Sequence, residues 1–393
     1  MKKVGFLFLL FLCLLLSSSV ANANNKATEI TFIYINGSNN FAYNNRLKFK
    51  TQFEADVKKM HPQIKKRFED DKLINELFLE NGKYTINPEP VTFYWGDRSL
   101  KVVETLDKDL NSAKKYSSKI AHQARSIFAH CLHDAVWVQK SHNMHSVTTD
   151  LHKIINAETE KGNKIVLLGY SAGSFVTYQY YLTKSKSIVP AQLQFSQEKK
   201  EIQDIILNNN VQPTCFDAML KANIIKYNPI KGKITTISDV EKFKNNYLTL
   251  DEVSKTACVN DGTIKGIIGF ASPARLFYSE FTDENSDINR VSRLMAQSLI
   301  ENNVFYLTVN YSNDPFGFSS GENFTLKKLQ DTKQIPQNLS KNGKGFIYNK
   351  SDNYVPRTFI TAHLAYWSTP KRFAKAIVKA YNEGYTHFYN IEK

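Results

Sequence analysis

The sequence predicts an α/β protein: a mostly parallel central sheet flanked by helices, with a cap or lid insertion. Three observations predict it. Short, apolar, partly β-branched runs recur at Glu29 to Ile35, Ile165 to Leu168, Thr263 to Phe270 and Val304 to Val309, as strands buried on both faces require. Segments with helical spacing alternate with them, which is the order that builds a parallel sheet. Between Ser187 and Gly262 the alternation lapses into charge runs such as Glu198-Lys199-Lys200-Glu201 and the triplet Asn208 to Asn210, which reads as an insertion near the carboxyl ends of the strands.

In chain order, Lys2 and Lys3 precede the apolar stretch Val4 to Leu16, Ser17 to Ser19 and Ala21-Asn22-Ala23. That is the layout of a secretory signal peptide cleaved after Ala23, and implies an exported protein, periplasmic or secreted. The apolar core is short for a membrane span. The strand Glu29 to Ile35 runs into Asn36-Gly37-Ser38-Asn39-Asn40, where small polar groups and flexible backbone suit a ligand site. Tyr43 to Leu79 carries charges at helical spacing and is expected to cover the sheet edge. Val91 to Trp95 is the next strand. Leu100 to Gln139 makes one long helix or two, and Asp150 to Ala157 a further amphipathic helix closed by Lys161-Gly162-Asn163.

After the strand at 165–168 the period changes, and Phe175, Val176 and Tyr180 give a helix with Lys184 and Lys186 near its end. A short helix is expected at Phe216 to Ile224 inside the insertion. Beyond it come the strand Thr263 to Phe270, a helix Ser286 to Asn302 with Val291, Leu294, Met295, Leu299 and Ile300 on one face, and the strand Val304 to Val309. Gly345 to Tyr348 is a hairpin or the edge strand, His363 stands in a loop, and Pro370 to Tyr381 is a helix. The organisation is thus residues 1–23 signal peptide, 24–190 first part of the core, 191–262 cap, and 263–393 second part of the core.

The formal charge of +14 becomes 14 − 2 = +12 once the lysines of residues 1–23 are removed. A basic exported protein suits peripheral contact with an anionic membrane surface, although Lys-rich and Asn-rich composition explains the charge equally well. The lysines are scattered, with no zinc spacing or basic helix, so no nucleic-acid partner is expected. Of the three cysteines after Ala23, Cys215 and Cys258 share a polar segment and are a possible disulfide, while Cys131 lies on an apolar helical face and reads as a buried thiol. His130, His133, His142 and His145 cluster in sequence, but no carboxylate or Cys completes a known metal spacing. Neither metal nor cofactor is expected.

The chemistry centres on Lys164 to Ser174, K-I-V-L-L-G-Y-S-A-G-S. Strand, sharp turn and helix would hold Ser171 in strained backbone above the sheet. Gly169 and Gly173 allow strand and helix to cross closely, and the helix start directs free N–H groups toward a developing oxyanion. A serine hydroxyl needs an imidazole to take its proton and a carboxylate to orient that imidazole. Asp314 follows the Val304 to Val309 strand in a turn stiffened by Pro315, and His363 lies further on. Asp261, Asp287 and Asp352 are rival acids, Asp352 lacking a clear strand behind it; His387 is the rival base. Tyr94, Trp95, Tyr366 and Trp367 read as core, or else as an apolar acyl pocket.

Together the elbow around Ser171, the Asn36-Gly37-Ser38 turn, Asp314-Pro315 and the late His363 resemble an α/β-hydrolase of the esterase and lipase type, over most of the chain by pattern but with only the elbow as a specific motif. The resemblance implies Ser171 as nucleophile, His363 as general base then acid, and Asp314 as its orienter. It also implies the Ala172 N–H as one oxyanion donor and Gly37 or Ser38 as the second. Many family members carry His-Gly where this chain has Asn36-Gly37. The expected function is an exported serine hydrolase cleaving lipid or other acyl esters through an acyl-enzyme. The alternatives are an acyltransferase using the same residues and a non-catalytic exported binding protein on the same fold.

Overall fold

The computed structural model describes residues 27–38, 46–113, 133–138, 141–185, 225–228, 233–237, 262–273, 295–318, 323–332, 335–354 and 359–391, with 118, 121, 122, 125 and 259 besides. The expectations for the signal peptide, the Phe216 to Ile224 helix, Cys131, the Cys215–Cys258 pair, His130, Asp261 and Asp287 fall outside them. No described helix is long and apolar enough to cross a membrane.

Seven strands form one sheet: β1 (Thr28–Ile35), β2 (Tyr84–Ile86), β3 (Val91–Phe93), β4 (Lys164–Tyr170), β7 (Ile264–Phe270), β8 (Phe305–Tyr311) and β9 (Phe346–Asp352), in the order β2-β1-β4-β7-β8-β9 with β3 also on β1. Every pairing in it is parallel. Inside the insertion β5 (Ile225–Asn228) and β6 (Lys233–Ile237) pair antiparallel as a separate ribbon, which the sequence did not predict.

Alternate strand residues feed two cores. Ile33, Ile35, Ile165, Leu167 and Ile267 pack against α4 (His133–Val138), α5 (Ser141–Glu160), α6 (Ala172–Lys184) and the helical segment 295–301. Phe32, Tyr34, Val166, Leu168, Ile268, Leu307 and Val309 pack against α1 (Arg46–Asp70), α2 (Lys72–Leu77), α8 (Phe359–Ser368) and α9 (Pro370–Tyr389). The period of two along a strand splits one apolar run between two faces, giving three layers. Two further helices, α3 (Leu100–Ala113) and α7 (Leu326–Asp331), complete the described set.

Several expectations need correction. The segment after β1 covers a face of the sheet, not its edge: Phe53, Val57, Met60, Ile64 and Phe68 recur at helical spacing on α1 and are buried. The helix expected from Asp150 begins at Ser141, and that expected to end at Tyr381 continues to Tyr389, where Asn390 closes it in the left-handed conformation. Met295 and Leu299 join one core, while Ile300 turns into the other. Of the two alternatives at Gly345 to Tyr348 the edge strand holds, as the parallel β9, and its extension to residue 352 corrects the view that Asp352 has no strand behind it. Most consequential, His363 lies on helix α8 instead of in a loop. Its sequence F-I-T-A-H-L-A-Y-W-S is apolar nearly all round, so it lacks the polar stripe by which an amphipathic helix is recognised.

The chain leaves β1 toward β2 and β3 through α1 on one face, then returns across β1 to β4 by way of α5 on the other. Where the direction of connection reverses, a crevice opens between the carboxyl ends of neighbouring strands. Ile35 pairs with Gly169 and Tyr170 with Phe270. The turns after β1, β4 and β7 therefore meet at one rim.

Candidate active site

Ser171 sits between β4 and α6 with φ 51° and ψ −125°. That conformation costs a side-chain-bearing residue about 1–3 kcal/mol and persists only where its surroundings fix it. Here they do. Its N–H donates to the Phe270 carbonyl (2.9 Å), and its own carbonyl accepts from the Ser174 N–H (2.9 Å) and the Ser174 hydroxyl (2.6 Å). The two glycines of the pattern make the crossing possible. A Cβ at Gly169 would lie 2.5 Å from the Gly173 carbonyl oxygen, and one at Gly173 would lie 2.5 Å from the carbonyl oxygens of both Ile35 and Asn36.

His363 reaches Ser171 from α8. Its Nε2 lies 3.0 Å from Ser171 Oγ, and its Nδ1 lies 2.9 and 3.1 Å from the two carboxylate oxygens of Asp314. A carboxylate only accepts, so Nδ1 carries the hydrogen and Nε2 is left to accept from the serine hydroxyl. The imidazole is held from several sides. Tyr170, the residue before Ser171, donates its O–H to the His363 carbonyl (2.8 Å) and lays its ring 5.3 Å from the imidazole. Phe316 meets the imidazole edge-on at 5.0 Å.

Asp314 lies in the turn after β8, closed by its N–H to the Tyr311 carbonyl (3.0 Å) and by the Gly317 N–H to its own carbonyl (3.1 Å). Its side chain is fully buried. Besides His363, the carboxylate accepts from the Phe316 N–H at Oδ1 and the Tyr366 hydroxyl at Oδ2, both at 2.9 Å. Of the rival acids, Asp352 is engaged by Arg372 at 3.0 Å. The rival base, His387, is on α9 against the ring of Tyr348. The structure thus brings Ser171, His363 and Asp314 into one hydrogen-bonded line.

Gly37, two residues beyond the end of β1, comes so close that a Cβ there would fall 2.6 Å from the Ser171 Cβ. Ala172 opens α6, where first-turn N–H groups have no intrahelical acceptor. Ser38 follows Gly37 in a bend, half-buried. Asn36 takes a structural part: its Oδ1 accepts from the Trp95 N–H (2.9 Å), its carbonyl from the Trp95 indole N–H (2.7 Å), and its amide donates to the Gly37 carbonyl (2.6 Å). The turn carrying Gly37 is tied to the end of β3.

Ser171 is only 9 % exposed, more enclosed than an open turn apex, because Gly37 and His363 close on it from two sides. Trp95 and Tyr366 are fully buried and do not line an opening. Among the described residues, the exposed aromatics near the site are instead Phe316 (38 %) and Phe318 (40 %), in the loop that leaves Asp314, with the Phe318 N–H fixed to the Ser272 carbonyl at 2.7 Å. Sequence reasoning named Tyr170, Tyr366 and Asn36 but missed their roles, because the partners Tyr170 and Tyr366 hold, and the Trp95 that Asn36 holds, are distant in the chain. Chemically, the line supplies a hydroxyl with a neutral base, and a base with an anion to steady its cation. Searches against models of known families, curated proteins and solved structures found no match to this chain.

Proposed function

We propose that this chain is an exported serine hydrolase of the α/β-hydrolase type that cleaves carboxylic esters with apolar acyl or alkyl parts. The observation that carries the reading is the 3.0 Å contact from Ser171 Oγ to His363 Nε2, continued at 2.9 Å from Nδ1 to Asp314. In the reaction Oγ adds to the ester carbonyl as its proton passes to Nε2. The tetrahedral oxyanion faces the Ala172 N–H and a donor from Gly37 or Ser38. Collapse breaks the bond to the alcohol, which leaves with the proton from Nε2. Water then adds to the acyl-enzyme with the same base, releasing the acid and restoring Ser171.

Phe316 and Phe318 support an apolar substrate, since aromatic rings exposed beside a reacting centre gain by covering hydrocarbon. The signal-peptide pattern at 1–23 supports export, and the charge of the remaining chain supports work at an anionic surface. A non-catalytic binding protein has no need of an imidazole within reach of Ser171, so that contact favours the enzyme.

The test is a fluorophosphonate probe on purified chain without residues 1–23, followed by turnover of esters of increasing acyl length. Labelling at Ser171 is expected, with turnover lost in folded Ser171→Ala. Folded protein that takes no label, or equal turnover by both proteins, overturns the reading. Adding an alcohol beside water separates hydrolysis from acyl transfer by the products.

A further inference from the structure

We propose that Tyr366 is a positioning residue for the Ser171–His363–Asp314 line, its phenol O–H holding the Asp314 carboxylate in the plane that His363 requires. The inference rests on the serine-hydrolase reading and adds to it a residue outside the three that the elbow pattern implies. Three independent features carry it.

The first is the direction of the hydrogen bonds. The Tyr366 oxygen accepts the backbone N–H of Tyr311 at 2.7 Å and lies 2.9 Å from Asp314 Oδ2. A phenol has one hydrogen, an N–H can only donate and a carboxylate only accepts, so the proton of Tyr366 points at Asp314. The second is placement. His363 and Tyr366 are one turn apart on α8, so the base and the group that fixes its carboxylate travel as one body. The third is rigidity. The Tyr366 ring is fully buried, stacked on Tyr311 at 4.1 Å and 5°, with Phe373 edge-on at 5.4 Å.

Burial, and then the charge of Asp314, push the Tyr366 phenol well above its ordinary value. It therefore remains a proton donor throughout the working range. When His363 takes the proton of Ser171, the imidazolium faces a carboxylate whose charge is already shared with Tyr366 and the Phe316 N–H. Held in that plane, the carboxylate keeps the imidazolium oriented so that Nε2, from which the leaving alcohol must collect the proton, faces Ser171. Without the phenol, the carboxylate rotates more freely and directs more of its charge toward His363, with only the Phe316 N–H still sharing it. The imidazolium of the free enzyme then gains stability, and the acid limb of kcat/KM moves to higher pH.

The experiment measures hydrolysis of a p-nitrophenyl ester across the acid limb by wild type, Tyr366→Phe and Phe373→Leu. For Tyr366→Phe the expected result is a fall in kcat of about tenfold, KM within about twofold, and an acid limb displaced upward. Phe373→Leu loosens the same aromatic cluster but leaves the phenol, and its limb should match wild type. If Tyr366→Phe does not fold, 3-fluorotyrosine at 366 replaces it; a stronger donor in the same ring should displace the limb downward. A limb unmoved by the change at Tyr366, or moved equally by Phe373→Leu, overturns the proposal while leaving the hydrolase reading intact. An inert, folded wild type overturns the hydrolase reading itself.

Discussion

At the scale of single residues, what distinguishes Asp314 from the other carboxylates is the company it keeps. Three donors converge on it, one of them the imidazole that touches Ser171, whereas Asp352 is engaged by Arg372. Asp314→Asn keeps the size but offers an N–H to Nδ1, forcing the imidazole toward the tautomer that cannot accept from Ser171. The expected loss is roughly 10³–10⁴ in kcat with little change in KM, read from steady-state kinetics on the ester that wild type turns over fastest. Asp352→Asn should lie within about twofold of wild type in the same assay, since it loses only a part-exposed ion pair. Tyr170 shows why a five-residue pattern understates a variable position of its own: the residue between Gly169 and Ser171 is the one that grips the backbone of His363.

Among elements, the crossing of α6 over β1 and β4 sets the tolerances of the site. A methyl group at Gly173 would meet two main-chain carbonyl oxygens at 2.5 Å, and no flexible side chain is there to give way. Gly173→Ala is therefore expected to cost about 3 kcal/mol, measured by urea unfolding, and to push the Asn36-Gly37 turn away from Ser171 so that activity falls by more than stability alone explains. This crossing was legible in the sequence, because a buried apolar strand, two glycines and a change of period are all local signals. So were β1, β7 and β8, whose apolar runs are short and bounded. Helix α8 was not: nearly every residue on it is apolar or aromatic, and such a stretch reads the same whether it coils as a loop or packs as a buried helix. The role of Tyr366 was hidden for a related reason. A core tyrosine and a tyrosine holding a carboxylate differ only in what the hydroxyl meets, here a residue 52 positions away.

Across the whole molecule, the core on the α1 side of the sheet also holds a polar group that ties stability to pH. On the α1 side His61 is fully buried, its Nε2 2.8 Å from the Asn87 carbonyl and its Nδ1 3.1 Å from the Tyr34 hydroxyl. The carbonyl accepts, so Nε2 bears the hydrogen and the neutral ring satisfies both partners. Burial holds His61 below its ordinary 6.5, although the bond to Asn87 pulls the other way. The folded protein thus binds this proton less readily than the unfolded chain. The resulting stability is fully present above about pH 6.5 and is lost as pH falls through the lowered folded value. Melting temperatures followed from neutral to mildly acid pH should fall more steeply for wild type than for His61→Gln; equal slopes would show that His61 does not contribute. The arrangement of α8 has a consequence for the life history of the protein. Ser171 and His363 are 192 residues apart in the chain, and the helix that carries His363 onto Ser171 begins only at residue 359. A polypeptide halted or clipped short of that point retains the serine and all seven strands of the sheet yet lacks His363, so on the hydrolase reading a half-made molecule is chemically silent until its final helices settle into place.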